Sequence, residues 1–216
     1  MYVITCGTFV RWLLAFVLGY RWLFEVPKIL HRHISLNNLM LRKEGDKMYG
    51  ILNDLDLAVS ADIKSTSSKQ RTGTKPFMAI DLLLLDPLVH VYRHNLESMF
   101  YVLVWITSRF HDGEEIADAP LQEWADQGGT TLVDKKHSFI LSEPPPPTSE
   151  FDLLGRWVVS LQKMMRNGFS ARTEYRSELT IAVRSKTTYP PTFDDETLGG
   201  FVKFDLLEAI LDAKLL

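Results

Sequence analysis

His31-Arg32-His33-Ile34-Ser35-Leu36-Asn37-Asn38 is a compact polar stretch set between Ile29-Leu30 and the strand-like run Leu39-Met40-Leu41-Arg42-Lys43. Pro27 ends a helical pattern just before it, so the stretch reads as an ordered loop. A second strand-like run, Met48-Tyr49-Gly50-Ile51-Leu52, follows Glu44-Gly45-Asp46-Lys47, which is hairpin punctuation. Asp54-Leu55-Asp56 comes directly after that strand. The order loop, asparagine, hairpin, aspartate decides the reading of the rest of the chain.

Outward from this core, Val59 to Lys75 is polar and basic, and reads as a long surface loop. Ser65, Thr66, Ser67 and Ser68 beside Lys64 and Lys69 make it a candidate phosphosite region as well as a solvated loop. Gly73-Thr74-Lys75-Pro76-Phe77-Met78-Ala79-Ile80-Asp81 closes it. From Val91 to Phe110, Tyr92, Leu96, Met99, Phe100, Leu103, Ile106 and Phe110 recur at helical spacing, and Val102 and Trp105 widen the apolar face, so this helix is expected to be central and buried. Leu121, Trp124 and Ala125 predict a further short helix. Pro144 to Pro147 impose an extended linker over 143–150, a helix is expected from about Phe151 to Met165, and Phe204, Leu207, Ile210 and Leu211 predict a closing helix.

Taken together these segments resemble the catalytic half of a protein kinase. In that pattern H-R-D-x-x-x-x-N supplies a base and a metal ligand, D-F-G supplies the main magnesium carboxylate, and G-T-x-x-Y-M-A-P-E ends the activation loop. Asp56 stands in the glycine position, Phe77-Met78-Ala79 lacks the usual proline, and His94-Asn95-Leu96-Glu97-Ser98-Met99-Phe100-Tyr101 follows. These details are most similar to the fungal-type protein kinase family, which shows HRDIS, DFDLA, RTGT-FMA and HDLESFFYVL at these places; Thr197-Leu198-Gly199-Gly200 resembles its distal T-L-G-G.

The resemblance implies a mainly α fold with a small β-hairpin: a single partial kinase domain over 1–216, C-terminal lobe only. A helix over 1–26 precedes the catalytic loop, and the activation segment covers 54–81. It implies a serine/threonine phosphotransferase using ATP and magnesium, with Asn38 and Asp54 as cofactor and metal ligands. His33 stands at the position of the catalytic aspartate, beside Arg32 and Thr74, with His31, Asn95 and Asp81 as structural support. Arg32 would pair with a phosphorylated activation-loop residue. Two departures matter. His33 replaces a carboxylate base, and general acid–base groups are worth roughly 100-fold to 10,000-fold in rate, so impairment of at least that order is expected. Asn95 replaces the aspartate of HDLES, whose carboxylate steadies the catalytic-loop backbone, and an amide keeps one acceptor but loses the charge. Only 30 residues precede His31, and none of the 12 glycines forms a G-x-G-x-x-G, so the N-terminal lobe is expected to be absent from this chain or supplied elsewhere. A pseudokinase lobe acting as an interaction or scaffold module is the alternative, with a protein substrate or partner not specified by these motifs.

Composition is consistent with these expectations. The 216 residues are 46% hydrophobic, enough for one domain with a core, and a net charge of -3 gives no global field toward nucleic acid or an anionic membrane. Cys6, the one cysteine, fits a packing role and an intracellular, reducing compartment. Between Arg11 and Arg21 the apolar stretch falls far short of the ~20 residues that span a bilayer, so a buried helix is expected there. Rival readings explain less. Asp54-Leu55-Asp56 alone fits the D-x-D of a nucleotide-sugar enzyme but leaves Asn38 and Thr74 unaccounted for. His31, His33, His90 and His94 suggest zinc only if the two pairs converge, and Leu198 and Val202 occupy positions a calcium loop at 194–202 needs for ligands.

Overall fold

The computed structural model describes residues 6–45, 47–62 and 73–212. The Ser65 to Ser68 cluster, residues 63–72 of the expected activation segment, and the side chain of Cys6 lie outside what is described. The chain opens with helix α1 (Cys6–Glu25), and a short strand β1 (Ile29–Leu30) follows. After a 3-10 turn at Leu36–Asn38 comes the hairpin β2 (Leu39–Glu44) and β3 (Lys47–Leu52), and β4 (Val59–Ser60) returns to pair antiparallel with β1. A 3-10 turn at Lys75–Phe77 leads into the short helix α2 (Ile80–Leu83) and the long α3 (Tyr92–Arg109). The rest is β5 (Phe110–His111) paired with β6 (Glu114–Glu115), then α4 (Glu123–Asp126), α5 (Gly129–Leu141), α6 (Gly155–Ser185) and α7 (Phe204–Asp212). The fold is therefore mainly helical with small antiparallel sheets, as expected. Among the described residues no helix is long and apolar enough to cross a membrane.

Every residue of α3 is buried, which agrees with its near-continuous apolar surface. Such a helix also buries polar side chains, and each must find a partner. Ser98, Thr107 and Ser108 donate back to the carbonyls of His94, Leu103 and Val104, and Val91 N–H donates to His94 Nδ1 at 3.1 Å, closing the first turn. Around α3 pack Phe16, Val17 and Tyr20 of α1, Leu132 and Ile140 of α5, and Leu161 and Met165 of α6, all nearly inaccessible to solvent.

The hairpin register pairs Leu39 with Leu52 and Met40 with Ile51. Alternation then points Leu39 and Leu52 toward the core and leaves Met40, Tyr49 and Ile51 exposed on the opposite face. Gly50 is what seats the hairpin on α1: a Cβ there would lie 3.2 Å from both Ala15 Cβ and Phe16 N. Closing the other side, α7 returns to α1. Phe204 stacks on Tyr92 at 5.1 Å and meets Tyr20 at 5.5 Å, while Arg21 pairs with Asp205 and Glu208 at 2.7 and 2.9 Å.

Two elements differ from expectation. The helix expected over Phe151 to Met165 begins as a 3-10 turn at Ser149–Leu154 and continues as α6 to Ser185, twenty residues further. Its second half has no broad apolar stripe, and Gly168 looks like an interruption; in fact Leu198 packs so close that a Cβ at 168 would lie 2.8 Å from its Cβ. The second element, α5, was not anticipated at all. Leu132, Val133, Lys136, Phe139 and Ile140 form its buried stripe, and the lysine in the middle disguises it.

Candidate catalytic-loop site

The turn at Leu36–Asn38 and the hairpin that follows fix the site. Asn38 N–H donates to Ser35 O at 3.1 Å, and Asn53 N–H donates to Asn38 O at 2.9 Å, so the residues entering and leaving the hairpin lie side by side. Asp54 is held beside Asn38 as a result. Its backbone sits at φ 62 and that of Arg32 at φ 68, left-handed conformations that cost a non-glycine residue energy and concentrate where the surroundings dictate geometry.

His31 is completely buried and pins the loop from below. His33 N–H donates to His31 Nδ1 at 3.3 Å, so the proton is on Nε2, which donates to Asn53 O at 3.0 Å. Burial pushes the His31 pKa down and keeps the ring neutral, which that bonding pattern requires. Arg32 is buried as well, and burial lowers its pKa.

Three side chains then meet at a partly open surface. His33 Nδ1 lies 3.0 Å from Asp54 Oδ2, and His33 Nε2 lies 3.3 Å from Thr74 Oγ1. Asn38 Nδ2 donates to His33 O at 2.9 Å and to the same Asp54 oxygen at 3.3 Å. Because the carboxylate can only accept, Nδ1 donates in that contact, which in the one-proton form of the ring leaves Nε2 to accept from the Thr74 hydroxyl. The chain carboxylate, imidazole, hydroxyl is one along which a proton can be taken from an alcohol. His33 and Asp54 side chains are 22% and 31% exposed, open enough for a ligand to reach them. The Asp54 carboxylate and the Asn38 side chain lie together, with the amide Nδ2 toward the carboxylate; their two oxygens fit a hard divalent cation once the amide presents Oδ1.

The supporting residues lie deeper. Asp81 accepts from both guanidinium nitrogens of Arg172, at 2.6 and 2.8 Å, and from Arg93 Nη2, with His94 Nε2 at 3.8 Å. Burial alone would raise its pKa, but His94 and the two arginines outweigh that and hold the carboxyl below the usual range. Asn95 differs from its expected role of steadying the catalytic-loop backbone. Its Nδ2 donates to Tyr20 Oη at 2.7 Å and its Oδ1 accepts from His90 Nε2 at 3.1 Å, so the amide ties α3 to α1 and to His90.

Sequence reasoning missed three residues here. Arg172 carries no local signal, lying 91 positions from Asp81. Glu97 was visible within the 94–101 motif; its Oε1 accepts from Ile80 N–H and Tyr101 Oη, each at 2.8 Å. Lys136 is fully buried, donates to the carbonyls of Pro76 and Met78, and lies 3.9 Å from the Tyr101 ring centroid. The four histidines suggested for zinc do not converge: among the described residues, His111, Asp112 and Glu150 are the one group of three His, Cys, Asp or Glu side chains close enough to share an ion.

All the residues expected at the site precede the end of α3, and the comparison with known families falls on the same part of the chain. Residues 7–107 match the family model of the fungal protein kinases. The fungal protein kinase match runs from α1 through all but the last turn of α3 and includes His31, Arg32, His33, Asn38, Asp54, Thr74, Asp81 and Asn95. The likeness expected from the motifs therefore holds over the residues that carry the site. No curated protein matches the chain.

Proposed function

We propose that the chain is a protein-kinase-like C-terminal lobe whose transfer of phosphate from ATP to a serine or threonine hydroxyl is strongly impaired. The observation that carries this reading is the contact between His33 Nδ1 and Asp54 Oδ2 at 3.0 Å. At the place of the base there is an imidazole, and it leans on the carboxylate that would hold magnesium. Asn38 and Asp54 are the residues to hold the ion, which when bound with nucleotide neutralises the charge of the phosphoryl group being moved. His33 Nε2 faces the side where an acceptor hydroxyl would enter, and Thr74 occupies it. His31 holds the loop backbone, Asp81 anchors the end of the segment after Thr74, and Arg32 lies buried in the loop between His31 and His33.

A test is phosphotransfer from magnesium ATP to a generic protein substrate. Wild type is expected to be weak, His33→Asp with Asn95→Asp to gain on the order of 100-fold, and Asp54→Ala to abolish what remains. If wild type transfers phosphate as fast as the double variant, the impaired reading fails.

A second reading, an interaction module without catalysis, is favoured by the outward face of the hairpin. Met40, Tyr49 and Ile51 are 49%, 43% and 36% exposed there, side by side and next to the site. Charged substitutions at Met40 and Ile51 that abolish a binding event while leaving the fold intact would support it.

A further inference from the structure

The replacement of a carboxylate by His33 changes the ligand chemistry of the site as well as its base. We propose that His33, Asp54 and Asn38 form a site for a divalent transition ion of the zinc or cobalt type, preferred over magnesium. The inference rests on the reading of Asn38 and Asp54 as the cation side of the site.

Magnesium takes oxygen ligands and keeps several waters, whereas an imidazole nitrogen suits zinc, cobalt and nickel. A site that adds one nitrogen to a carboxylate and an amide oxygen therefore moves its preference along that series. Distances favour chelation. Ligand atoms about 2.0–2.1 Å from a tetrahedral ion lie roughly 3.3 Å from each other. His33 Nδ1 and Asp54 Oδ2 are 3.0 Å apart, so an ion replaces the shared proton with little movement of either side chain. Asn38 Nδ2 donates to the same carboxylate oxygen at 3.3 Å and to His33 O at 2.9 Å, so Oδ1 becomes the third ligand atom once the amide turns over and gives up those two hydrogen bonds.

The far side of the ring is also prepared. A ligating histidine usually gives its second N–H to an oxygen that fixes its orientation. Thr74 Oγ1 stands 3.3 Å from Nε2. With the ion on Nδ1 the ring proton moves to Nε2, and the hydrogen bond to Thr74 persists with donor and acceptor exchanged. A second candidate cluster among the described residues, His111, Asp112 and Glu150, is looser: His111 reaches Asp112 at 3.7 Å and Glu150 at 4.0 Å through different ring nitrogens, and Asp112 is 77% exposed. It serves as the internal control.

The experiment is titration of the full chain with Zn2+, Co2+ and Mg2+ separately, by calorimetry and by the visible absorption of Co2+. Wild type is expected to bind Zn2+ and Co2+ at least tenfold more tightly than Mg2+. His33→Ala should lose the cobalt spectrum and at least tenfold in zinc affinity, and His33→Asp should turn the preference back toward Mg2+. Thr74→Val should cost about tenfold, and His111→Ala should change nothing. Equal affinity for Mg2+ and Zn2+ in wild type overturns the proposal, as does zinc binding that survives His33→Ala and disappears with His111→Ala. The two readings fail separately: strong wild-type phosphotransfer with Mg2+ defeats the impaired-kinase reading, whereas the metal preference is decided by the titrations alone.

Discussion

Two charged clusters, one on each side of the segment that runs from Thr74 to Asp81, follow different rules. Beneath it, Asp81, Arg93, Arg172, Glu97 and Lys136 are almost wholly withdrawn from water, and oppositely charged groups or backbone donors and acceptors surround them. Above it, His33, Asp54 and Thr74 form a partly open chain of hydrogen-bonding side chains. The buried cluster cannot vary one member without leaving another charge stranded in a dry interior. The rim can. The contrast separates a buried framework that tolerates little change from a rim that tolerates more.

The sharpest way to break the contrast is at the buried cluster. Arg172→Met removes both hydrogen bonds to Asp81 from α6 and should destabilise the fold by about 4 kcal/mol in denaturant titrations. A shift below about 1 kcal/mol would mean that Arg93 and His94 suffice.

Acid should come next. Burial lowers the His94 pKa to about 4 and that of His90 well below its ordinary value. Unfolded histidine takes up its proton near pH 6.5 while the folded rings resist, so stability is full above about pH 6.5 and falls as pH drops toward 4, by on the order of 3 kcal/mol for His94. The Asp81 pKa is lowered too, so its contribution is lost only below about pH 4, whereas Glu97, whose pKa burial raises, works against the histidine effect in this window. Denaturation midpoints at pH 7 and pH 4.5 check this, and His94→Gln should flatten the difference.

Lys136→Met should cost about 2 kcal/mol, because the carbonyls of Pro76 and Met78 lose their donor in a buried place. Amide exchange over residues 75–79 should speed up with it, leaving exchange in the hairpin unchanged. At the small end, His33→Asp should shift stability by less than about 0.5 kcal/mol, since the ring is partly exposed. A large loss there would show that the rim is as tightly determined as the cluster below it.

The sequence pattern made some of this legible and hid the rest for physical reasons. Asn38 and Asp54 were singled out by their likeness to a family motif and a hairpin does bring them together, while α3 was legible because its apolar surface is nearly continuous. The Asp54–His33–Thr74 chain was not, since it depends on left-handed backbone at Arg32 and Asp54 that these residue types do not announce. Arg172 was invisible for a different reason: a single arginine on a polar stretch of helix reads as solvated, and tertiary contact alone reveals its partner. Lys136 misled in the opposite direction, interrupting an apolar stripe whose helix was therefore overlooked.

The return of α7 to α1 has a consequence for how the protein is made. Tyr20, Phe24 and Arg21 find Phe204, Asp205 and Glu208 only after a long intervening stretch has been synthesised, 187 positions in the case of Arg21 and Glu208. Until then the nascent chain carries an uncovered aromatic ridge on α1, a surface for chaperones to hold and for aggregation to exploit. Truncation before Phe204 should therefore show first in the cell as lost solubility, whatever becomes of the site.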